Sequence, residues 1–323
     1  MNSPPHILFA LAGVSLGNAT RCMAVMEAMP ELHCEALTFG TGAAFLERRG
    51  IPVHHLTSLF TPQGALATAL ALPLLLLLWA INVARAWQVL RARRPQLVVA
   101  DSEYSSLIAA RLLGIPVVGI NQAAAVRAMW ADLGSPNLRF SYFTRELPDA
   151  WFCRAFHTTY VPTFLSDADL PKRHVAVPLI VRRLPKRAPR AGVVLTMLGG
   201  SAEIAAMRFP SDATPTQIGG PNLVDDAPER LATAERAVIQ GGLSSLSEVL
   251  ALRLPAAVVP LRGHAEQTLH ARWLAAQGAI LLVEDGDLDR VWPEFLRFTP
   301  APHELRTDGA AVLAEHLRSR VHA

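Results

Sequence analysis

The sequence predicts an α/β protein built from two doubly wound parallel-sheet domains. Three observations carry this reading. Short apolar runs end in glycine-containing or acidic loops that open onto helices, the pattern occurs in two separate series, and a Pro- and Arg-rich stretch without periodicity lies between them. The 323 residues suit two domains with separate cores better than one. Hydrophobic residues make up 51% and charged residues 18%, which excludes a disordered chain and points to buried parallel sheets or contact with a membrane.

The first series begins with the apolar run 6–12, which ends at Gly13 and is followed by a polar loop and a helical stretch at 19–28. It recurs with the strand 96–100, the loop 101–104, the helix 105–113, Gly114 and the strand 115–120. Strands that alternate with helices in this way imply a parallel sheet covered on both faces. The segment 177–190 is the expected linker, and the boundaries follow as 1–176 and 191–323. The second series contains the strand 192–198, a Gly-Gly-Ser loop, an apolar run at 236–239, the helix 244–252 and the strand 256–260.

Residues 66–84 carry no charge and are long enough to cross a bilayer. Pro73 interrupts them, and a crossing would place the flanking strands of one soluble sheet on opposite sides of the membrane. An interfacial or acceptor-binding helix, followed by the basic stretch 85–94, is the favoured reading, with a buried core helix as the plainer one. The net charge of +3 comes from dispersed arginines, so nucleic acid is not expected as a partner; Arg91, Arg93 and Arg94 suit phosphates or anionic lipid. Cys22, Cys34 and Cys153 are odd in number and lack metal-ligand spacing, so a reducing compartment without disulfides is expected. The first residues lack a basic region followed by a long apolar one, so no secretion signal is expected.

The chemistry concentrates in residues 238–278. Gly241 and Gly242 precede a helix, where a glycine backbone approaches a diphosphate closely and the free N–H groups of the first turn stabilise its charge. Ser244, Ser245 and Glu248 follow, then an apolar strand ending at Pro260, then His264, Glu266 and Gln267. Paired acceptors and donors such as Glu-Gln suit desolvated sugar hydroxyls. The plainer reading is a capped helix with a solvated Glu and a polar surface loop.

The order and spacing of these residues resemble the donor signature of the GT-B glycosyltransferases, the group that includes peptidoglycan lipid-intermediate N-acetylglucosaminyltransferases and UDP-glucuronosyltransferase-like enzymes. The resemblance implies two Rossmann-like domains facing a central cleft, the N-terminal one binding acceptor and the C-terminal one, with its C-terminal helix, binding nucleotide sugar. It also assigns Glu248 to the ribose hydroxyls and Glu266 with Gln267 to the donor sugar. Gly199, Gly200 and Ser201 match the glycine loop that faces the phosphates, and Val224-Asp225-Asp226 before Pro228 matches a structural connection. The stretch 201–219 is shorter than usual, so the wall that reads the base is unassigned.

The N-terminal loop with Gly13, Ser15, Gly17 and Arg21 resembles the acceptor loop of these enzymes, but the position of its catalytic His is Asn18. An amide cannot take a proton at neutral pH. A second family His, before the glycine pair, is Gln240. Asp101 and Glu103, at the end of the 96–100 strand, are the replacement candidates as base, against the plainer reading of a capping Asp101 and a solvated Glu103. His157 and His174 are further candidates, and His264 is placed to meet phosphate. The resemblance therefore implies an inverting transferase that needs neither metal nor cofactor, moving a sugar from a nucleotide diphosphate, expected to be UDP, to a small-molecule or lipid acceptor, with lipid favoured. Its expected place is the cytoplasm, peripheral at the inner face of the membrane through 66–94. Two other readings stay open: an inactive sugar-nucleotide-binding scaffold and a nucleotide-sugar epimerase of the same fold.

Overall fold

The computed structural model describes residues 4–14, 16–58, 65–198, 207–219 and 226–321. Its chain divides into two compact units: Met1–Asn121 with Phe152–Tyr160 and Leu313–Ala323, and Gln122–Trp151 with Val161–Val312. The short helical turns between Pro136 and Ala155 thus fall mostly with the second unit, and the end of the C-terminal helix Gly309–Val321 falls with the first.

The first sheet comprises β1 (His6–Leu11), β2 (His33–Thr38), β3 (Val53–His55), β4 (Leu97–Asp101), β5 (Val117–Ile120), β6 (Thr159–Pro162) and β7 (His174–Val177), in the order β3-β2-β1-β4-β5-β6-β7. Strands β4 and β5 are buried at every position and β1 at all but its first, which is why they read as unbroken apolar runs. Helices Leu16–Glu27, Gly40–Glu47 and Ser105–Leu112 connect them. Parallel register sets Leu11 beside Asp101, so the loop after β1 and the end of β4 open at the same edge. This edge, at the carboxyl ends of the strands, is where ligands of such sheets bind.

The second sheet has the order β12-β11-β10-β8-β9, with β8 (Val194–Leu198), β9 (Thr216–Gly219), β10 (Arg236–Ile239), β11 (Ala256–Val258) and β12 (Leu281–Leu282). Its strands pair in parallel, with Ile239 opposite Met197 on one side and Val258 on the other. Helices Ala227–Thr233, Leu243–Ala251, Ala265–Ala276 and Leu288–Arg297 alternate with these strands. Two parallel sheets with interleaved helices agree with the α/β reading of the sequence.

The long helix Ala65–Arg93 contains Pro73, and it is its second half that packs on the core. Leu72, Leu74, Leu76, Leu77 and Ile81 are all exposed, Leu77 by 58%. In the second half Ala86 and Leu90 are buried, and the buried Asn82 accepts the Thr57 N–H at 2.7 Å and donates to the Thr57 carbonyl at 3.0 Å. The segment Leu72–Arg93 is long and apolar enough to cross a membrane, with a mean hydropathy of 1.5. Arg85, Arg91, Arg93 and Arg94 at its basic end are exposed. Cys22, Cys34 and Cys153 are free thiols, as their spacing leads one to expect.

Candidate functional site

Gly13 stands inside the loop after β1, at a point where no other residue fits. A Cβ there would lie 1.6 Å from the Phe39 carbonyl oxygen, and the Gly13 carbonyl accepts hydrogen bonds from the Thr41 hydroxyl and the Gly42 N–H. The chain then enters helix Leu16–Glu27, which carries Asn18 and Arg21 toward the end of β4. Asp101 is fully buried there. Its Oδ1 accepts from Arg21 Nη2 at 2.6 Å and from Asn18 Nδ2 at 2.8 Å; its Oδ2 accepts from Arg21 Nε at 2.8 Å and from the Cys22 thiol at 3.5 Å. The fork of the guanidinium matches the carboxylate, which is the strong geometry for such a pair. Burial and the Asp101 charge push the Cys22 thiol well up, so it stays protonated.

Glu103 has a different task. Its two oxygens accept the backbone N–H groups of Ser105 and Ser106 at 2.9 and 2.8 Å, so Glu103 is the residue that caps helix Ser105–Leu112, the role the plainer sequence reading gave to Asp101. The fold brings together Asn18, Arg21 and Asp101 around one carboxylate. His157 Nδ1 lies 3.0 Å from the Val117 carbonyl and His174 Nδ1 lies 3.2 Å from the Lys172 carbonyl, so both bond to nearby backbone. Ser15, Gly199, Gly200, Ser201, Val224 and Asp225 lie outside the described residues.

In the second unit the two halves of the glycine–Glu-Gln motif interlock. A Cβ on Gly241 would lie 2.9 Å from Gln267 Cβ and 3.0 Å from its carbonyl oxygen, so glycine lets the turn after β10 rest on helix Ala265–Ala276. Gln267 Oε1 in turn accepts the Leu261 N–H at 3.0 Å, which ties down the loop after β11. Gly242 is the N-cap of helix Leu243–Ala251, makes no side-chain cap, and would meet nothing within 4 Å if it carried a Cβ. That combination, a first turn without a side-chain cap and open space before it, suits an anionic ligand. Ser244 and Ser245 stand in the same turn.

Glu248, one turn on, is buried and paired: its Oε1 accepts from Arg182 Nε at 2.6 Å and its Oε2 from Arg182 Nη2 at 3.3 Å. Burial pushes its carboxyl up while the Arg182 charge pulls it down, and burial prevails. Arg182 comes from the expected linker, and sequence reasoning did not find it because the pair spans 66 positions.

Residues before β6 also missed by sequence reasoning hold the first turn of helix Ala265–Ala276. Ser141 Oγ accepts the Ala265 N–H at 3.1 Å, and the buried Glu146, at the end of the π-helical turn Tyr142–Glu146, takes the N–H of Glu266. Burial, then the charges of Glu266 and Asp149, push the Glu146 carboxyl well above its usual range. Glu266 sits in that first turn, where the helix dipole favours its charge. His264 caps the helix by position only, with Nδ1 buried and without a hydrogen-bond partner. Burial, aided by the Arg145 charge, lowers its pKa to about 4, so the imidazole is neutral at neutral pH. Buried His270, edge-on to Phe164, is lowered by burial and then by His264 to about 3.

The Glu248 pair and the two imidazoles make separate predictions. Replacing Glu248 with Gln leaves the Arg182 charge buried without its counter-ion, which costs about 3–5 kcal/mol in urea unfolding; a loss below about 1 kcal/mol would contradict the pairing. For the imidazoles, the unfolded chain binds their protons near pH 6.5 and the folded chain only near 4 and 3. Stability is therefore complete above pH 6.5 and falls as the pH drops through that window, by up to about 1.4 kcal/mol per pH unit for each group. In His270→Leu, unfolding free energy between pH 6.5 and 4 declines less steeply than in the wild type; parallel curves would show that His270 titrates normally.

Residues 176–310 match the model of the glycosyltransferase family 28 C-terminal domain, which spans the interlocked turn and loop. A UDP-N-acetylglucosamine–N-acetylmuramyl-(pentapeptide) pyrophosphoryl-undecaprenol N-acetylglucosamine transferase of Rubrobacter xylanophilus is 30% identical over 305 residues, which are 81% of this chain and 84% of the relative. Among solved structures, MurG of Acinetobacter baumannii superposes with a TM-score of 0.62 at 15% identity, covering 98% of this chain and 100% of that one. The calicheamicin glycosyltransferase CalG4 gives 0.65 at 17% identity with 99% of both chains covered, so two proteins distant in sequence share the fold. The chain belongs to glycosyltransferase family 28 and is a GT-B glycosyltransferase of the hexosyltransferase type.

Proposed function

We propose that the protein transfers a sugar from a UDP-class donor to a hydroxyl of a lipid-linked acceptor, with inversion at the anomeric carbon. The observation that carries this reading is the contact of Gly241 with Gln267, which sets the uncapped first turn of helix Leu243–Ala251 beside the Glu266–Gln267 loop within the part that matches the family model. The diphosphate rests on that first turn, and the sugar hydroxyls meet Glu266 and the amide of Gln267. Glu248, held by Arg182, faces the ribose as an oriented acceptor. The 30% identical relative is a transferase of N-acetylglucosamine from UDP to an undecaprenol-linked acceptor, which supports both substrate classes.

In the reaction, the acceptor oxygen forms a bond to the anomeric carbon while the carbon–oxygen bond to phosphate breaks, the nucleotide leaves with the electron pair, and the acceptor's hydroxyl proton passes to the departing phosphate oxygen. Asn18 Nδ2 is held by Asp101, which fixes the amide and turns its carbonyl oxygen to the task of accepting the incoming hydroxyl. All four lone-pair directions of Asp101 are engaged by Arg21, Asn18 and Cys22, so we assign Asp101 to positioning in place of proton abstraction. Glu103, spent on its helix cap, stands outside this chemistry.

Single-turnover transfer from labelled UDP-sugars to a membrane-lipid extract tests the assignment. Asn18→Ala is expected to lower turnover or raise the acceptor KM by about 10- to 100-fold, the loss of one positioning hydrogen bond, with donor affinity unchanged. Glu103→Gln keeps its turnover, and Asn18→His does not abolish it. Unaltered acceptor kinetics in Asn18→Ala would remove Asn18 from the site, and no transfer by the wild type from any nucleotide sugar would leave the scaffold reading in its place.

The lipid part of the proposal rests on Leu72, Leu74, Leu76, Leu77 and Ile81, exposed on a helix that ends in exposed arginines. A helix of this kind lies along an anionic surface, its leucines in the acyl boundary and its arginines among phosphates. Flotation with anionic vesicles should recover the protein, salt should release it, and Leu76→Gln with Leu77→Gln should lower recovery at least about tenfold, since each buried leucine contributes about 1.5–3 kcal/mol. Equal recovery of the double variant, or retention through carbonate washing, would overturn peripheral docking through this helix.

A further inference from the structure

Glu35 is an ionisable side chain only 4% exposed in the middle of a parallel strand, a placement that costs several kcal/mol unless a network of polar partners is supplied to it. The register of the sheet supplies it. His6 of β1 pairs with His33 of β2, Glu35 follows His33 on the same face of the sheet, and His54 of β3 pairs with Leu37 on that face too. Three imidazoles from three strands thereby surround one carboxylate. His33 Nε2 lies 3.2 Å from Glu35 Oε1, while His6 Nε2 and His54 Nε2 lie 3.5 and 2.9 Å from Oε2.

Hydrogen bonding explains only part of this cluster. His54 is close enough to donate to Oε2, but His6 Nε2 is buried and makes no hydrogen bond, and the His6 and His33 rings lie 4.8 Å apart between centroids. The ligand atoms of His6, His33 and Glu35 all fall within 4.8 Å of one another. A tetrahedral zinc ion with bonds of about 2.0–2.1 Å needs ligand atoms about 3.3–3.4 Å apart. Each imidazole lies near that distance from one oxygen of the carboxylate, His33 from Oε1 and His6 from Oε2, and a turn of His33, which is 48% exposed, brings three ligand atoms to one ion. Imidazole and carboxylate together are the borderline donor set that zinc-class cations take.

We propose that His6, His33 and Glu35 form a binding site for a divalent cation of the zinc class, with His54 as the outer partner that orients the carboxylate. Such outer partners commonly fix ligand geometry. The half-exposed Arg93, whose Nε lies 3.4 Å from Oε2, is displaced into solvent by the ion. The site sits at the amino ends of β1 and β2, while Asp101 marks the carboxyl edge, so the ion ties strands together and takes no part in transfer.

The test uses the full chain without a polyhistidine tag, stripped with chelator and titrated with zinc in competition with a chromophoric indicator. One equivalent binds to the wild type, cobalt in its place gives the strong visible absorption of a tetrahedral site, and zinc raises Tm. His33→Gln lowers affinity at least tenfold, and His54→Gln lowers it about 10- to 100-fold. His55→Gln, whose side chain is exposed and pairs with Glu47, binds as the wild type does. Because His33 is half exposed, its variant keeps the wild-type far-UV circular dichroism and unfolding midpoint without metal. Binding below one equivalent, or equal binding by the wild type and His33→Gln, would overturn the site.

Discussion

At Gly241 the chain passes so close to Gln267 that a side chain there would press on both the Cβ and the carbonyl oxygen of that residue. The arrangement of the second unit follows from this contact. Parallel register brings β10 and β11 to end together, so the turn after one and the loop after the other meet at the same edge of the sheet. The glycine lets them come into contact, and the following glycine, Gly242, is an N-cap with no side chain of its own to cap the first turn of helix Leu243–Ala251. Gln267 then serves twice, as the surface on which the turn rests and as the acceptor that holds the Leu261 N–H. A short stretch of chain thus gains a fixed geometry without a bound ligand to impose it.

Both units use buried polar residues as struts. Asp101 holds Arg21 and Asn18, Glu248 is held by Arg182, and Glu146 and Ser141 satisfy N–H groups at the start of helix Ala265–Ala276. Each buries a charge or polar group at a cost that only its partner offsets, so removing one partner is far more damaging than the net worth of the pair. Such struts orient groups that meet a ligand more finely than apolar packing does, because a forked ion pair has one good geometry. The position that family resemblance assigns to a histidine illustrates the consequence: Asn18 loses proton chemistry but keeps a fixed amide.

The strands that the sequence made legible were those buried on both faces, β1, β4, β5, β8, β10 and β11, because burial on both sides demands continuous apolar residues. Strand β2 was hidden because His33 and Glu35 interrupt its apolar pattern, and β12 because it has only two residues. The glycine turn was legible since the close approach to Gln267 leaves room for glycine alone, and the Glu-Gln loop through its resemblance to the donor signature. Arg182, Ser141 and Glu146 were not, for their roles arise from contacts between segments far apart in sequence, which no local pattern encodes. The apolar run at 66–84 announced a helix, but its exposed leucines became apparent only when Asn82, Ala86 and Leu90 were seen to anchor the other half.

The central claim is that the turn at Gly241–Gly242 cradles a nucleotide diphosphate. A crystal structure of the chain soaked with UDP tests it most directly. The account predicts the diphosphate on the N–H groups at the start of helix Leu243–Ala251, with the ribose hydroxyls within hydrogen-bond reach of Glu248. Diphosphate bound elsewhere while that first turn stays in contact with solvent alone would contradict it.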